Sequence, residues 1–193
     1  MGIYLCSVHG DDWAADDVLR PAALAIAPEL ERRGLAPCPP PPSGAFAPHS
    51  GMSFEEKMNR PIQSFERLCR AQPDGDACCD ALLDWDLLLP IDFDEPVKLP
   101  VPAPYSEITT VRSAHRARDA AQLLADSIAL PHHVPLHCDN LDLGNWFDSP
   151  SASAAAASHP GAWSDDLDAS YYVAVYLRAA QHAIRRNCPM YYV

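Results

Sequence analysis

The chain has 193 residues, 48% of them hydrophobic and 21% charged, with 26 acidic against 14 basic side chains and a formal net charge of -12. At about 150 residues per domain this length predicts a single domain over 1–193, and the apolar share excludes a wholly disordered chain. The acid surplus argues against nucleic acid as a partner, because phosphate would be repelled over most of the surface, and favours a basic protein partner or a small molecule.

Ile3 to Val8 is an apolar run of strand type, ended by His9-Gly10-Asp11-Asp12. From Trp13 to Arg33 the apolar residues Val18, Ala22, Ile26 and Leu30 recur every fourth position, which predicts one helix stopped by Gly34 and kinked by Pro21 and Pro28. Residues 36–51, with Pro39 to Pro42, read as a Pro-rich surface loop. Ser53 and Glu56 have the spacing of a capping box ahead of Phe54, Met58, Ile62, Phe65 and Cys69, an amphipathic helix interrupted by Pro61. Asp76 is placed to cap a further helix running through Trp85.

Leu87 to Phe93 reads as a buried strand, with Pro90 pointing to an edge or a bend. Pro96, Pro100, Pro102 and Pro104 predict an extended connector, and Val111, Ala114, Ala117, Ala121, Leu124 and Ile128 predict a helix up to Pro131. Residues 149–162, with four consecutive alanines between serines, read as a low-complexity loop. A last helix spans about Asp165 to Asn187, with acids at its start and Arg185 and Arg186 at its end. Its stretch Tyr171 to Leu177 is apolar nearly all round and belongs in the core. Together these elements predict an α+β or α/β fold: a helix-rich single domain with a small sheet and long Pro-rich loops.

Seven cysteines without C-x-x-C spacing give no zinc-ribbon or thioredoxin pattern. The start of the chain shows neither a basic segment nor a long apolar run, and no stretch approaches the ~18 apolar residues of a membrane span. Free thiols in a reducing cytoplasm, with no membrane partner, are the expectation.

Two segments carry candidate chemistry. Ser7-Val8-His9-Gly10-Asp11-Asp12 sits where a strand hands over to a helix, a common place for ligand crevices, and sets an imidazole beside two carboxylates. These residues resemble the PIG-L/LmbE-type zinc deacetylases, which carry a strand followed by His-Pro-Asp-Asp. The resemblance implies that His9 and Asp12 bind a divalent metal such as zinc and that Asp11 is the general base. Gly10 stands where that family carries proline, and Asn140 where its later His-x-x-His motif has the second histidine. The other segment, 132–142, holds His132, His133, His137, Cys138, Asp139, Asn140 and Asp142, side chains suited to a first-row divalent metal or to side-chain turns.

Two functions follow. One is a metal-dependent hydrolase cleaving an amide or ester, with His9 and Asp12 joined by His137 or Asp139 and Asp11 polarising a metal-bound water. The other, which the charge, the size and the incomplete motif favour, is a non-enzymatic binding protein, for instance an immunity-type inhibitor masking a basic enzyme. The stretch Asp74 to Glu95, eight carboxylates without a base, is suited to a cationic partner.

Overall fold

The structure is a computed structural model that describes residues 2–43 and 50–193. Six strands form one mixed sheet: β1 (Tyr4–Ser7), β2 (Glu55–Lys57), β3 (Leu87–Leu89), β4 (Val97–Leu99), β5 (Thr109–Ser113) and β6 (Met190–Tyr192), in the order β2-β1-β6-β3-β5-β4. β3 and β5 are parallel and every other pair is antiparallel. With nine helices among the described residues, the chain is an α+β domain.

The sheet is covered on both faces, and β3 records this in three residues. Leu88 joins the large core with Leu5, Leu124, Val173 and Met190, while Leu87 and Leu89 join a smaller core with Ile26, Leu30, Val97 and Val111. Alternate strand residues point to opposite faces, so three consecutive leucines signify a strand buried on both. The predicted strand at 87–93 is therefore central rather than at an edge. Pro90 falls just beyond its last residue, where a missing N–H breaks no ladder bond.

The predicted helix over 13–33 is two helices, α1 (Gly10–Ala15) and α2 (Leu19–Arg32). Asp16 separates them by accepting hydrogen bonds from the N–H groups of Val18 and Leu19, at 2.8 and 3.0 Å, and so restarts the helix. Pro21 lies in the first turn of α2, where its missing N–H costs nothing, and Gly34 ends the segment at φ +68°. Of the Pro-rich stretch, 36–43 carries no regular element, with Pro41 buried, and 44–49 lies outside the described residues.

The capping box at Ser53 and Glu56 does not form. Glu56 sits in β2, and the helix α3 (Gln63–Arg70) begins only after Pro61. The next helix, α4 (Gly75–Leu83), is capped by Asp74, whose carboxylate accepts from Ala77 N, and not by Asp76. Residues 109–113 form β5 ahead of α5 (Ala114–Ser127), because Thr109 and Val111 are buried β-branched residues and Ser113 caps the helix through His115 N. Val97–Leu99, inside the predicted connector, pairs with β5.

α6 (Asp142–Asp148), α7 (Pro150–Ser158), α8 (Ala162–Asp165) and α9 (Leu167–Arg186) complete the chain. α7 replaces the predicted loop: Ser149 caps it, Pro150 takes the first position, and alanine is the strongest helix former. α9 agrees with the sequence, with Asp166 capping its start and Asn187 ending it at φ 55°. Leu124, Ile128, Val173 and Leu177 are buried in the large core and Ile26 in the smaller one, while Ile184 is half-buried against the large core.

Leu177 lies on the α9 stretch that faces α5, at 3% exposure. Its truncation to alanine is expected to cost about 2–5 kcal/mol, measured by urea unfolding. A loss near zero would place the residue outside the core.

Candidate functional site

His9 is the N-cap residue of α1 but makes no side-chain cap bond, and Asp11 and Asp12 occupy the exposed first turn. Pro41 to Ser43 pass directly over this turn. Gly10 N donates to Pro42 O at 3.2 Å, and a Cβ on Gly10 would lie 2.7 Å from Pro41 O and 2.6 Å from Ser43 Oγ. Glycine is thus dictated by the covering segment, and proline here would clash and delete a donor. Asp11 accepts a 3.4 Å hydrogen bond from the Ser43 hydroxyl.

The second segment runs along the outer edge of β2. Glu55 N donates to Cys138 O and Leu141 N donates to Glu55 O, both at 2.9 Å, while β1 pairs with the inner edge of the same strand. The two sequence-predicted segments therefore meet through β2 instead of pairing directly. His137 is exposed beside Gly51, whose φ of +71° and close approach to the imidazole leave no room for a Cβ. Asp142 accepts from the N–H groups of Asp139 and Asn140, the side-chain turn that this composition favours.

Asp139 is fully buried, and its carboxylate accepts from Gly51 N (2.7 Å), Ser53 N (3.0 Å) and Ser53 Oγ (3.1 Å). Burial by itself would raise its pKa, but these donors hold it below the ordinary carboxylate value. Glu56 anchors backbone in the same way, accepting from Leu143 N and Gly144 N at 2.6 and 3.0 Å. It caps a helix after all, but the first turn of α6, 87 residues further on. Burial pushes Glu56 up to about 7, with Asp142 and Glu55 adding to the effect.

His182 of α9 lies within the field of both segments, since His9 and Asp139 both act on it electrostatically. It is 2% exposed, its ring lies 5.9 Å from Phe54, and its Nε2 finds no hydrogen-bond partner among the described residues. Burial pushes its pKa down to about 3, and Arg185 and Arg186 push the same way. Of the predicted ligands, then, His9 and Asp139 share this neighbourhood, whereas Asp12 and His137 are exposed to solvent. Among the described residues no group of three or more His, Cys, Asp or Glu side chains is gathered as a metal site.

A large concavity lies elsewhere, between α4, α5 and the segment 94–96, and encloses about 620 Å³. Asp74 and Asp80 come from α4 and its cap, Asp94 and Glu95 from the loop before β4, and Asp119 from α5. Arg112 and Arg116 also line it, but each is turned to carboxylates: Arg112 to Asp80 and Asp84 at 3.7 and 3.2 Å, Arg116 to Asp92 and Asp94 at 3.2 and 2.8 Å. Arg33 holds the loop in place by donating to the carbonyls of Glu95 and Pro96. The apolar lining of the groove is built from Ala77, Ala81, Ala120 and Leu123, the last 49% exposed. The acidic stretch 74–95 was legible in the sequence, but Asp119 and Leu123 join it only through the packing of α5 on α4. Comparison with family models, with curated proteins and with solved structures finds no match to this chain. Among the described residues no helix is long and apolar enough to cross a membrane.

The buried titratable groups give a testable pH dependence. Unfolded, His182 takes a proton near 6.5 but in the fold only near 3, so its stabilising contribution is complete above 6.5 and falls away as pH drops toward 3. Glu56 has the opposite sign: its value is 4.5 unfolded and about 7 folded, so its contribution is complete below 4.5 and is lost as pH rises through 7. Between pH 4.5 and 6.5 the two oppose each other. Urea unfolding of His182→Phe is expected to show stability falling with pH across this window, and Glu56→Gln to show it rising. Identical profiles for the two variants would contradict the assignment.

Proposed function

We propose that this protein is a non-enzymatic binding protein that docks a cationic segment of a partner protein in the groove between α4 and α5. The observation that carries this reading is the convergence of five carboxylates from three separate stretches of the chain on one groove lined by two arginines, so that Asp74 and Glu95 remain for a cation after Asp80, Asp94 and Asp119 have met Arg112, Arg116 and Arg118. A guanidinium or ammonium entering there meets carboxylates, while the methylenes of its side chain cover Leu123 and the neighbouring alanines. The overall charge of -12 supports the same partner chemistry, because it steers a basic protein toward the surface before any contact is made. Such a groove needs no metal and no nucleophile, in keeping with the use of Asp139 as a backbone anchor.

Titration with a short arginine-rich peptide tests the proposal. The double variant Asp94→Lys/Glu95→Lys is expected to weaken binding by about tenfold or more, equal to ~1.4 kcal/mol, and added salt should weaken the wild-type complex. The control Asp17→Lys/Glu31→Lys changes the net charge equally at exposed positions outside the groove lining. Equal losses in the two variants would mean that the peptide reads only net charge and would overturn the groove as the site.

A further inference from the structure

Two buried side-chain nitrogens near the end of α9, His182 Nε2 and Arg186 Nε, have no hydrogen-bond partner among the described residues. A buried polar group left unpaired is costly, and native structures leave few. The two residues stand four apart on one face of α9, and helical side chains lean back over the preceding turn, so the Arg186 stem runs toward the His182 ring. His182 is almost wholly buried, whereas Arg186 is half-buried and Arg185 exposed, which leaves a way in from solvent.

The end of β1 brings a further imidazole to this place. Val8 N donates to Pro189 O at 2.9 Å, which carries the β1–β6 ladder one residue past Ser7 and Met190 and sets the half-buried His9 opposite Cys188. His9 keeps extended backbone, with φ -94° and ψ 158°. Strand alternation then turns it to the same face as Leu5, the face that α9 covers. His9, Arg185 and Arg186 all act on the His182 ring, in agreement with this placement.

The protein's own carboxylates do not serve these nitrogens. Asp139, which also acts on His182, gives its oxygens to Gly51 and Ser53. Among the described residues neither Arg185 nor Arg186 forms an ion pair.

We propose that the end of α9 is a binding site for a small oxyanion, a carboxylate or a phosphate, held by the Arg186 guanidinium and His182 Nε2 with His9 at the rim. Nε and one Nη of Arg186 offer two N–H groups as a fork to two oxygens, and His182, with its proton on Nε2, donates to the same anion. The guanidinium selects against a metal cation at the same histidines, because like charges repel. The C-terminal end of the α9 dipole opposes an anion, so binding depends on the arginine. None of these residues lines the acidic groove, and the site is independent of the cationic partner proposed there. With a net charge of -12 the surface repels anions in general, so an anion that binds to saturation identifies a built site.

Inorganic phosphate and acetate are titrated separately into the full chain at constant ionic strength, with affinity read by calorimetry and the His182 ring nitrogens by long-range proton–nitrogen NMR. Saturable binding of one equivalent of either anion is expected, together with a shift of the His182 Nε2 signal. Tighter phosphate binding marks the ligand as a phosphate, and tighter acetate binding marks it as a carboxylate. Arg186→Gln is expected to weaken binding by about tenfold or more, and Arg186→Lys, which keeps the charge but not the fork, to recover only part of the loss. The control Arg20→Gln removes the same charge from an exposed position on α2 and is expected to change affinity by less than about twofold. Equal losses in Arg186→Gln and Arg20→Gln would overturn the proposal, as would anion binding that leaves the His182 signals unmoved. Absence of saturable binding of either anion would overturn it too, because water then serves the two nitrogens. The wild-type titration decides the matter even where a substitution at Arg186 prevents folding.

Discussion

α9 buries thirteen of its twenty residues, and a helix with so little exposed surface has to be covered from every side. α5 lies along it, α3, α6 and α8 close other sides, and β1, β3 and β6 supply the sheet face. Its three tyrosines tie the cover down at defined points. Tyr171 donates to Lys57 O and Tyr172 to Arg60 O, both at 2.6 Å, while Tyr176 meets the Tyr192 hydroxyl at 3.1 Å. A buried hydroxyl without such a partner would be costly, so these contacts determine where the connection after β2 and the last strand can lie. Arg60 extends the arrangement outward, stacking over Tyr171 at 4.7 Å and pairing with Asp148 and Asp168.

The carboxylates follow from the same constraint. With the core occupied by α9, the edge of β2 has no further strand beside it, and the irregular segment 138–141 takes that place. An irregular segment brings unpaired backbone N–H groups, and these must find acceptors. Asp139 serves Gly51 and Ser53, and Glu56 serves the opening turn of α6. Residues whose types suggest catalysis thus hold backbone in place, and the protein keeps its remaining acids for the surface.

On that surface the acids are unevenly spread. α4 brings carboxylates to one side of a groove, α5 and the 94–96 loop to the other, and the Arg33 tether keeps the loop from swinging away.

Features whose cause is local were legible in the sequence. The first strand, α9 with its acidic start and basic end, the strand that opens the apolar run 87–93 and the stop at Gly34 all depend on neighbouring residues and on apolar periodicity. Tertiary structure decided the rest. Ser53 and Glu56 have the spacing of a local capping box, yet α6 offers Glu56 two N–H groups and Asp139 offers Ser53 an acceptor, so the segment pairs as a strand. The alanines of 149–162 carry no periodic signal; Ser149, Pro150 and the alanine run favour a helix locally, and the tertiary structure decides that Ala152 and Ala155 form its buried side. The strands at 97–99 and 190–192 are too short to stand alone and exist through their partners. The same division holds for function. The proposal of a cationic partner draws on composition and charge because a net field is a sum over residues. Which acids face one another depends on how α4, α5 and the loop before β4 pack, and no local pattern encodes that arrangement.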